Sequence, residues 1–193
     1  MRTRLLVLLA AVVALSVPTP FPVHAADLHL HPIVNGSYVS ECNLVEPAGA
    51  GLRQVAVVLE FSGENLLGVR FAIAQSSINW QLLFLTSPFT MIGNYQDVSI
   101  SFGTCIPTPV VVATIQYYSP GNSPCGTVRT SAAALQANIY AARCDYSEIN
   151  VNGAQLTVNG VYDVPIGGYD PDCFCPALPT SPSSWGKVKA LYR

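Results

Sequence analysis

The chain has 193 residues, of which half are hydrophobic and only 10% are charged. Its nine basic and eleven acidic residues give a net charge of −2. A chain so poor in lysine and arginine lacks the clustered positive charge that neutralises phosphates, so its composition argues against a nucleic-acid partner.

The first 25 residues read as a secretory signal peptide. Arg2 and Arg4 precede an apolar run from Leu5 to Val17 that is too short to span a bilayer, and Val23-His24-Ala25 supplies a small-residue cleavage signal. We expect a mature chain that begins at Ala26 and has a net charge of −4, from seven basic and eleven acidic residues. This predicts no membrane span after cleavage and a location in the secreted fraction, on the cell surface or in the periplasm.

All the cysteines lie in the mature part of the chain. They are Cys42, Cys105, Cys125, Cys144, Cys173 and Cys175. An even number of cysteines behind a signal peptide is typical of disulfide-bonded proteins in an oxidising compartment. Zinc is the competing interpretation, but only Cys173 and Cys175 are close in sequence, and their spacing is not that of a zinc site. We favour a Cys125–Cys144 disulfide, because Cys125 follows one predicted strand and Cys144 ends the strand that returns.

The first segment of the mature chain carries two histidines. His29 and His31 alternate with leucines, so in an extended segment both imidazoles would point the same way and could form half of a metal site. No third ligand lies near in sequence, and we therefore interpret 26–32 as an exposed N-terminal arm. The following Asn35-Gly36 pair predicts a short hairpin.

The stretch from Val55 to Ala74 predicts a β-hairpin. Apolar residues alternate with other residues on both sides of a polar turn at 62–65, as expected for two half-buried strands. The apolar positions are Val55, Val57, Leu59, Phe61, Leu67, Val69, Phe71 and Ile73. Two such strands are marginally stable alone, so their apolar faces require a second sheet.

Three further strands follow before residue 120. The apolar run Ile78–Thr86 predicts a strand inside the core, and Asp97–Phe102 alternates with its apolar residues inward. Val110–Tyr118 is rich in β-branched and aromatic residues, which predicts a central strand of one sheet.

The stretch 127–143 is ambiguous between strand and helix. Leu135, Ala137, Ile139 and Ala141 alternate as in a strand, while Leu135 and Ile139 are also spaced as on one face of a helix. We favour two strands that meet near 131–134. Two Asn-Gly pairs, at 152–153 and 159–160, then bracket a short strand and predict another hairpin.

The C-terminal part contains a weak calcium candidate and a short tag. Asp163, Asp170 and Asp172 offer hard oxygen ligands on a glycine-containing loop, but their spacing matches no calcium motif, so a solvated acidic loop is favoured. A Pro/Ser-rich linker and a basic, aromatic tag occupy 177–193. In a short helix the tag would share one apolar face, formed by Trp185, Val188, Leu191 and Tyr192.

The pattern as a whole predicts an all-β, disulfide-bonded domain over 26–176. Frequent turn signals separate about nine strands, which is typical of a two-sheet antiparallel β-sandwich or a related barrel. The succession VAVVLEF, LLGVRFAIA, VSISF and VVVATIQYY resembles cohesin modules, the Ig-like jelly-roll sandwiches of bacterial surface proteins. The resemblance covers roughly half of the chain and implies the fold. Neither dockerin binding nor any binding residue is carried over, since six cysteines are unusual in that family.

No sequence motif identifies an active site. The chain has no nucleophile elbow, zinc-protease motif, P-loop or dinucleotide-binding motif. We therefore expect no enzyme activity and no cofactor, and we favour a secreted or cell-surface bacterial module that binds protein or glycan. The alternative is a secreted hydrolase that uses a pair of carboxylates. Six tyrosines could provide an aromatic platform for sugar: Tyr117, Tyr118, Tyr140, Tyr146, Tyr162 and Tyr169.

Overall fold

The computed structural model describes residues 26–61, 65–163 and 172–175, with the backbone alone defined for 161–163 and 172–174. The predicted signal peptide and C-terminal tag lie outside these residues. Within them the chain is all-β, and no helix has the length and apolar character needed to cross a membrane. The strands are β1 (Ala26–Val34), β2 (Ser37–Tyr38), β3 (Asn43–Leu44), β4 (Gly51–Glu60), β5 (Leu66–Ser76), β6 (Gln81–Thr86), β7 (Thr90–Asn94), β8 (Asp97–Ile106), β9 (Val110–Ser119), β10 (Gly126–Ser131), β11 (Ile139–Arg143), β12 (Glu148–Asn152), β13 (Gln155–Val158), β14 (Val161–Asp163) and β15 (Asp172–Phe174).

The strands form the predicted β-sandwich. One layer has the order β6-β9-β4-β1-β12, and the other contains β7, β8, β5, β10, β13 and β3. β11 pairs with β5 on one edge and with β12 on the other, so it joins the two layers along one side. More strands form than the nine expected, because two- and three-residue pieces such as β2 and β3 pair at edges without an apolar pattern of their own.

The core lies between the layers and is built from the inward residues of the long strands. Val57 of β4, Phe71 of β5, Val98 of β8 and Ile115 of β9 are all fully buried. β9 pairs with β4 on one edge and β6 on the other, which confirms the central position predicted for Val110–Tyr118.

The predicted hairpins at 55–74 and 151–160 are wrong. β4 pairs with β1 and β9, whereas β5 pairs with β8, β10 and β11, so the chain crosses between layers after Phe61. β12 pairs with β1 and β11, while β13 pairs with β10 and β3. Period-two alternation shows that a strand has one buried face, but a strand in either layer meets that condition.

The predictions for the first hairpin and for the stretch 127–143 are confirmed. β1 and β2 form the expected hairpin, with Asn35 and Gly36 both at positive φ as a two-residue turn of this kind requires. The stretch 127–143 forms two strands, β10 and β11, as favoured over a helix. They lie end to end along the same edge of β5, with a loop at 132–138 between them.

The structure corrects the interpretation of two segments. Residues 26–32 are not an exposed arm but part of β1, whose residues Ala26, Leu28 and Leu30 are buried in the core. The predicted core strand at 78–86 instead gives β6, the last strand of its layer, with Phe84 61% exposed. A continuously apolar run indicated burial on both faces, but β6 packs only Leu82 and Leu85 against the core.

The disulfides also differ from the predicted Cys125–Cys144 pair. Cys105 bonds to Cys144 and Cys125 bonds to Cys175, with Cα–Cα distances of 5.7 and 5.5 Å. Cys125 precedes β10 at the Ser76 end of β5, whereas Cys144 follows β11 at the Leu66 end. About ten residues of strand, or roughly 30 Å, separate these ends, which is far beyond the reach of a disulfide. Cys42 is disulfide-bonded as well.

A buried carboxylate ties three loops to the sandwich. The Glu46 side chain is 1% exposed, and it accepts hydrogen bonds from Trp80 Nε1 (2.8 Å), the Ser123 backbone N–H (2.8 Å) and the Ser119 hydroxyl. Burial would raise the pKa of this carboxyl, but the hydrogen bonds outweigh burial and lower the pKa from 4.5 to about 2.

We predict that Glu46→Gln destabilises the fold by about 3 kcal/mol near neutral pH, because the amide nitrogen faces donors and the charge is lost. The folded pKa lies below the unfolded one, so the carboxylate contributes stability above pH 4.5 and loses it as the pH falls towards 2. Urea unfolding of the parent chain and of Glu46→Gln should therefore show that the difference between their free energies of unfolding decreases as the pH falls from 4.5 to 2. Glu41→Gln, at an exposed position, is the control and should change little. A Glu46→Gln effect that is equally large at low pH would contradict this account.

Candidate functional site

An open cleft of about 480 Å³ lies on the outer face of the sheet formed by β8, β5 and β11. Its polar lining combines one cation, one carboxylate, two tyrosines, a hydroxyl and an amide. These are Arg70, Glu148, Tyr140, Tyr146, Ser101 and Gln136. The cleft brings both charge signs and two aromatic rings together on the surface of one sheet.

Strand register explains why these side chains meet. One cross-strand row runs Ile92, Ser99, Arg70, Tyr140 and Asn150 through β7, β8, β5, β11 and β12. Residues opposite each other on neighbouring strands project from the same face, so this row spans the outer surface of the sheet.

The next row forms the floor of the cleft. It contains Ser101, Gly68, Ala142 and Glu148, and its small residues leave a hollow between larger neighbours. A side chain at Gly68 would collide with the Ile100 carbonyl oxygen, so the glycine is required for the close approach of β5 and β8.

Arg70 and Asp97 form a two-pronged ion pair beside the cleft. Arg70 Nε donates to Asp97 Oδ1 at 2.8 Å, and Nη2 donates to Oδ2 at 2.7 Å. The guanidinium lowers the pKa of the Asp97 carboxyl, and Asp97 raises the pKa of Arg70. Both side chains remain about 40% exposed, so the pair is an accessible and oriented polar feature.

Two exposed apolar residues with unusual backbone conformation border the cleft. Tyr146 lines it, is 85% exposed and has a φ of 67°, while Leu135, next to the lining residue Gln136, is fully exposed and has a φ of 66°. Leu135 also stands beside a second groove, of about 980 Å³, which Ala132 and Ala134 line. We call the cleft, its two borders and Ile92 the cleft face.

The Tyr146 turn is held from both sides. Asp145 accepts a hydrogen bond from the Ser147 backbone N–H at 2.9 Å, and Arg143 and Ser147 pair across the turn at 2.9 Å. The Cys105–Cys144 disulfide then joins the turn to the end of β8. Tyr146 is therefore presented on a short, cross-linked turn.

We predict that the Cys105→Ser/Cys144→Ser double variant loses about 2–4 kcal/mol of stability and frees the Tyr146 turn. Trypsin cleavage after Arg143, measured well below the unfolding midpoint, should become faster than in the parent chain. The matched control is Cys125→Ser/Cys175→Ser, which removes a disulfide elsewhere and should leave that cleavage slow. Equal cleavage in both variants would show that the disulfide does not hold the turn.

The cleft is suited to binding rather than to acid–base chemistry. Asp97 is ion-paired and Glu148 is the only carboxylate that lines the cleft, so the described residues supply no pair of free carboxylates there. Among the described residues, no group of three or more His, Cys, Asp or Glu side chains could hold a metal ion. His29 and His31 lie on the outer face of the other layer, stacked with their ring centroids 5.8 Å apart.

The residues singled out in the sequence are dispersed. Asp163 and Asp172 are cross-strand partners on β14 and β15, and Asp170 lies outside the described residues, as do Trp185, Val188, Leu191 and Tyr192. Of the six tyrosines, Tyr140 and Tyr146 come together in the cleft. Tyr117 is buried in the core, Tyr118 lies on β9 of the other layer, and the side chains of Tyr162 and Tyr169 are not among those described.

Sequence patterns alone do not predict most of the cleft, although one feature of the sequence points to Arg70. By alternation alone, Arg70 and Asp97 are outward residues of two separate predicted strands, and Gln136 and Glu148 belong to no motif. Arg70 is the one charged residue in the otherwise uncharged stretch from residue 65 to residue 96, which marks it as an exception. Its partners depend on strand pairing and could not be read from spacing.

Comparisons with known proteins show likeness of fold only. No family model matches the chain, and no curated protein matches it. A cohesin from a Clostridium thermocellum type I cohesin–dockerin complex matches at a TM-score of 0.48 and 14% identity, over 69% of this chain and 99% of that one. The third ScaB cohesin of R. flavefaciens, solved with a dockerin, gives 0.49 and 14%, over 74% and 100%.

A non-cellulosomal cohesin from the archaeon Archaeoglobus fulgidus also matches, with a TM-score of 0.46 and 11% identity over 69% of this chain and 91% of that one. The resemblance to cohesin modules drawn from the strand sequence is thus found again at the level of the β-sandwich. At these values it transfers no residue role and no partner to this chain.

Proposed function

We propose that this chain is an exported, disulfide-stabilised binding module that recognises a protein partner through the cleft face. Export rests on the signal-like residues 1–25 and on the disulfides, which persist in oxidising compartments. The sandwich positions the cleft. The proposal rests on the cleft face and not on the fold likeness, although two of the similar cohesins were solved with dockerins.

One observation carries the proposal. Leu135 and Tyr146 are both exposed and both hold a left-handed backbone, which is costly for large side chains. The other described non-glycine residues with positive φ are three asparagines and a serine, whose small polar side chains tolerate it better. Two strained apolar residues at the borders of one cleft are explained if a partner buries them.

The composition of the cleft face favours a protein partner. Tyrosine and arginine are enriched among residues that dominate binding energy, and Tyr140, Tyr146 and Arg70 lie together here. Ile92 (71% exposed) and Leu135 add apolar contacts beyond the cleft itself. The exposed apolar residues supply contact area, and the oriented Arg70–Asp97 ion pair supplies specificity.

A glycan is the second candidate ligand. The rings of Tyr140 and Tyr146 and the neutral groups of Gln136 and Ser101 line the same cleft, and such groups suit a sugar ring and its hydroxyls. The cleft does not support the alternative of a hydrolase. Both carboxylate oxygens of Asp97 accept hydrogen bonds from Arg70, so Asp97 is not a free second carboxylate beside Glu148.

The test uses glycine substitutions that separate binding from stability. Leu135→Gly and Tyr146→Gly remove the side chains and relieve the left-handed strain, so thermal stability should stay level or rise. Capture of a partner from the secretome by the immobilised mature chain, followed by affinity measurement with the purified partner, should show about tenfold or greater weakening in each variant. Tyr118→Gly, which removes an exposed tyrosine from the other layer, is the control for lost aromatic surface.

Retention of full affinity in both variants would contradict the proposal. If a glycan array, rather than any protein, gives binding that the same two variants lose, then the cleft is the site and the ligand class is sugar. Cleavage of polysaccharide or peptide by the purified chain would favour the hydrolase instead.

A further inference from the structure

We propose that the C-terminal tag, residues 185–193, binds as a short amphipathic helix in the second groove of its own chain. The proposal concerns a surface beside the cleft and is independent of the proposed function. It rests on the composition of the second groove, on the position at which the described chain ends and on the spacing of apolar residues in the tag.

The second groove is large and uncharged. It has a volume of about 980 Å³ and is lined by β5, β6, the turn between β7 and β8 and the loop after β10. No charged side chain of the described residues lines it, and Leu82 and Tyr95 give it apolar surface. Small side chains leave space in it for larger ones from another segment: Ala72, Ala74, Ala132 and Ala134. A groove of this size and polarity is suited to apolar side chains.

The described chain ends close to this groove. Cys175 is bonded to Cys125, which directly precedes β10. Thr127 of β10 lies opposite the end of β5, one residue beyond Gln75 of the groove. These steps place Cys175 within roughly 20 Å of Gln75. Residues 176–184 can span about 30 Å, so the linker is long enough to bring the tag to the groove.

The tag has the apolar spacing of a groove-binding helix. In an α-helix, Trp185, Val188 and Tyr192 lie on one face, because they are three and seven residues apart, and Leu191 widens that face. Helices with anchors at this spacing bind in apolar grooves. Nine residues are too few for a stable helix alone in water, so the tag needs such a groove to fold against.

The charges of the tag and of the domain also favour binding. Residues 26–176 contain four basic and eleven acidic residues, a net charge of −7, whereas 177–193 contains three basic residues and no acidic one. The acidic domain therefore attracts the tag, and the described groove lining has no cation to repel it. Because the tag is tethered, its effective concentration at the groove is about millimolar, which favours the chain's own tag over that of a second copy.

Acrylamide quenching of tryptophan fluorescence in the mature, disulfide-intact chain tests the proposal. The chain has two tryptophans, Trp80, which is 2% exposed, and Trp185 in the tag. Acrylamide should quench both slowly if the tag is bound. Val188→Gln removes an anchor from the apolar face, and Ala134→Arg places a charge in the groove. Each substitution should therefore increase the quenching of Trp185 several-fold.

Two matched controls separate docking from general effects of substitution. Ala190→Gln introduces the same side chain on the opposite face of the tag. Ala137→Arg introduces the same charge at an exposed alanine in the same loop, which does not line the groove. Both variants should keep Trp185 protected. Thermal unfolding of all four variants at the temperature of the parent chain would show that the fold is retained.

Several results would overturn the proposal. Rapid quenching of one tryptophan in the parent chain would show that the tag is free. Protection of Trp185 that survives Val188→Gln or Ala134→Arg would show that the tag does not use its apolar face or does not lie in this groove, and equal loss in the controls would have the same meaning. Quenching that increases when the parent chain is diluted would show that the tag binds a second copy instead of its own chain.

Discussion

The architecture depends on the pairing of β5 along both of its edges. Leu66–Phe71 is bonded to β8 on one side, and the full strand is bonded to β11 and then β10 on the other. Since β11 continues into β12 of the opposite layer, β5 links the two layers as well as filling the core with Val69, Phe71 and Ile73. The outward residues of the same strand, Gly68 and Arg70, form the floor and one wall of the cleft. One strand thus fixes the closure of the sandwich and the geometry of its candidate site.

The sequence was sufficient for the class of fold but not for its connections. Alternation over β4, β5 and β8 identified their buried faces, because burial of one face is a local property of each strand. The exception is the start of β5, where a register shift between Leu66 and Gly68 places Leu66 in the core and the predicted Leu67 in the lining of the cleft. Whether β4 pairs with β5 is decided by where the chain crosses between layers, and residues 62–65 have the same polar character in either case. The misplacement of Ile78–Thr86 in the core has a related cause, since an apolar edge strand and an apolar core strand look alike until the neighbours are known. The Cys125–Cys144 disulfide was predicted wrongly for the same reason. The distance between these two cysteines depends on the pairing of β10 and β11 with opposite ends of β5, which the sequence does not show.

The site illustrates which features of a surface can be anticipated. Tyr140 and Tyr146 were among the tyrosines proposed for ligand contact, because exposed aromatic residues are useful for binding on any face. Their association with Arg70 and Glu148 is a product of register across four strands, and the left-handed conformations of Leu135 and Tyr146 have no marker such as glycine in the sequence. Glu46 differs from the cleft residues. The sequence alone would place its carboxylate in solvent, but in the structure the carboxylate is buried and holds neighbouring loops together through hydrogen bonds. Glu46 is thus a buried structural carboxylate, Asp97 is ion-paired and Glu148 lines the cleft, and only the structure distinguishes these three acidic residues.

The central claim is that binding occurs on the cleft face, and hydroxyl-radical footprinting of the mature chain with its captured partner tests it most directly. Oxidation rates of Leu135 and Tyr146, both highly exposed in the free chain, should fall several-fold on binding, while those of Phe84 and Tyr118 on the other layer stay unchanged. Protection of Phe84 and Tyr118 with Leu135 and Tyr146 still reactive would contradict the account and move the binding surface to the opposite side of the sandwich.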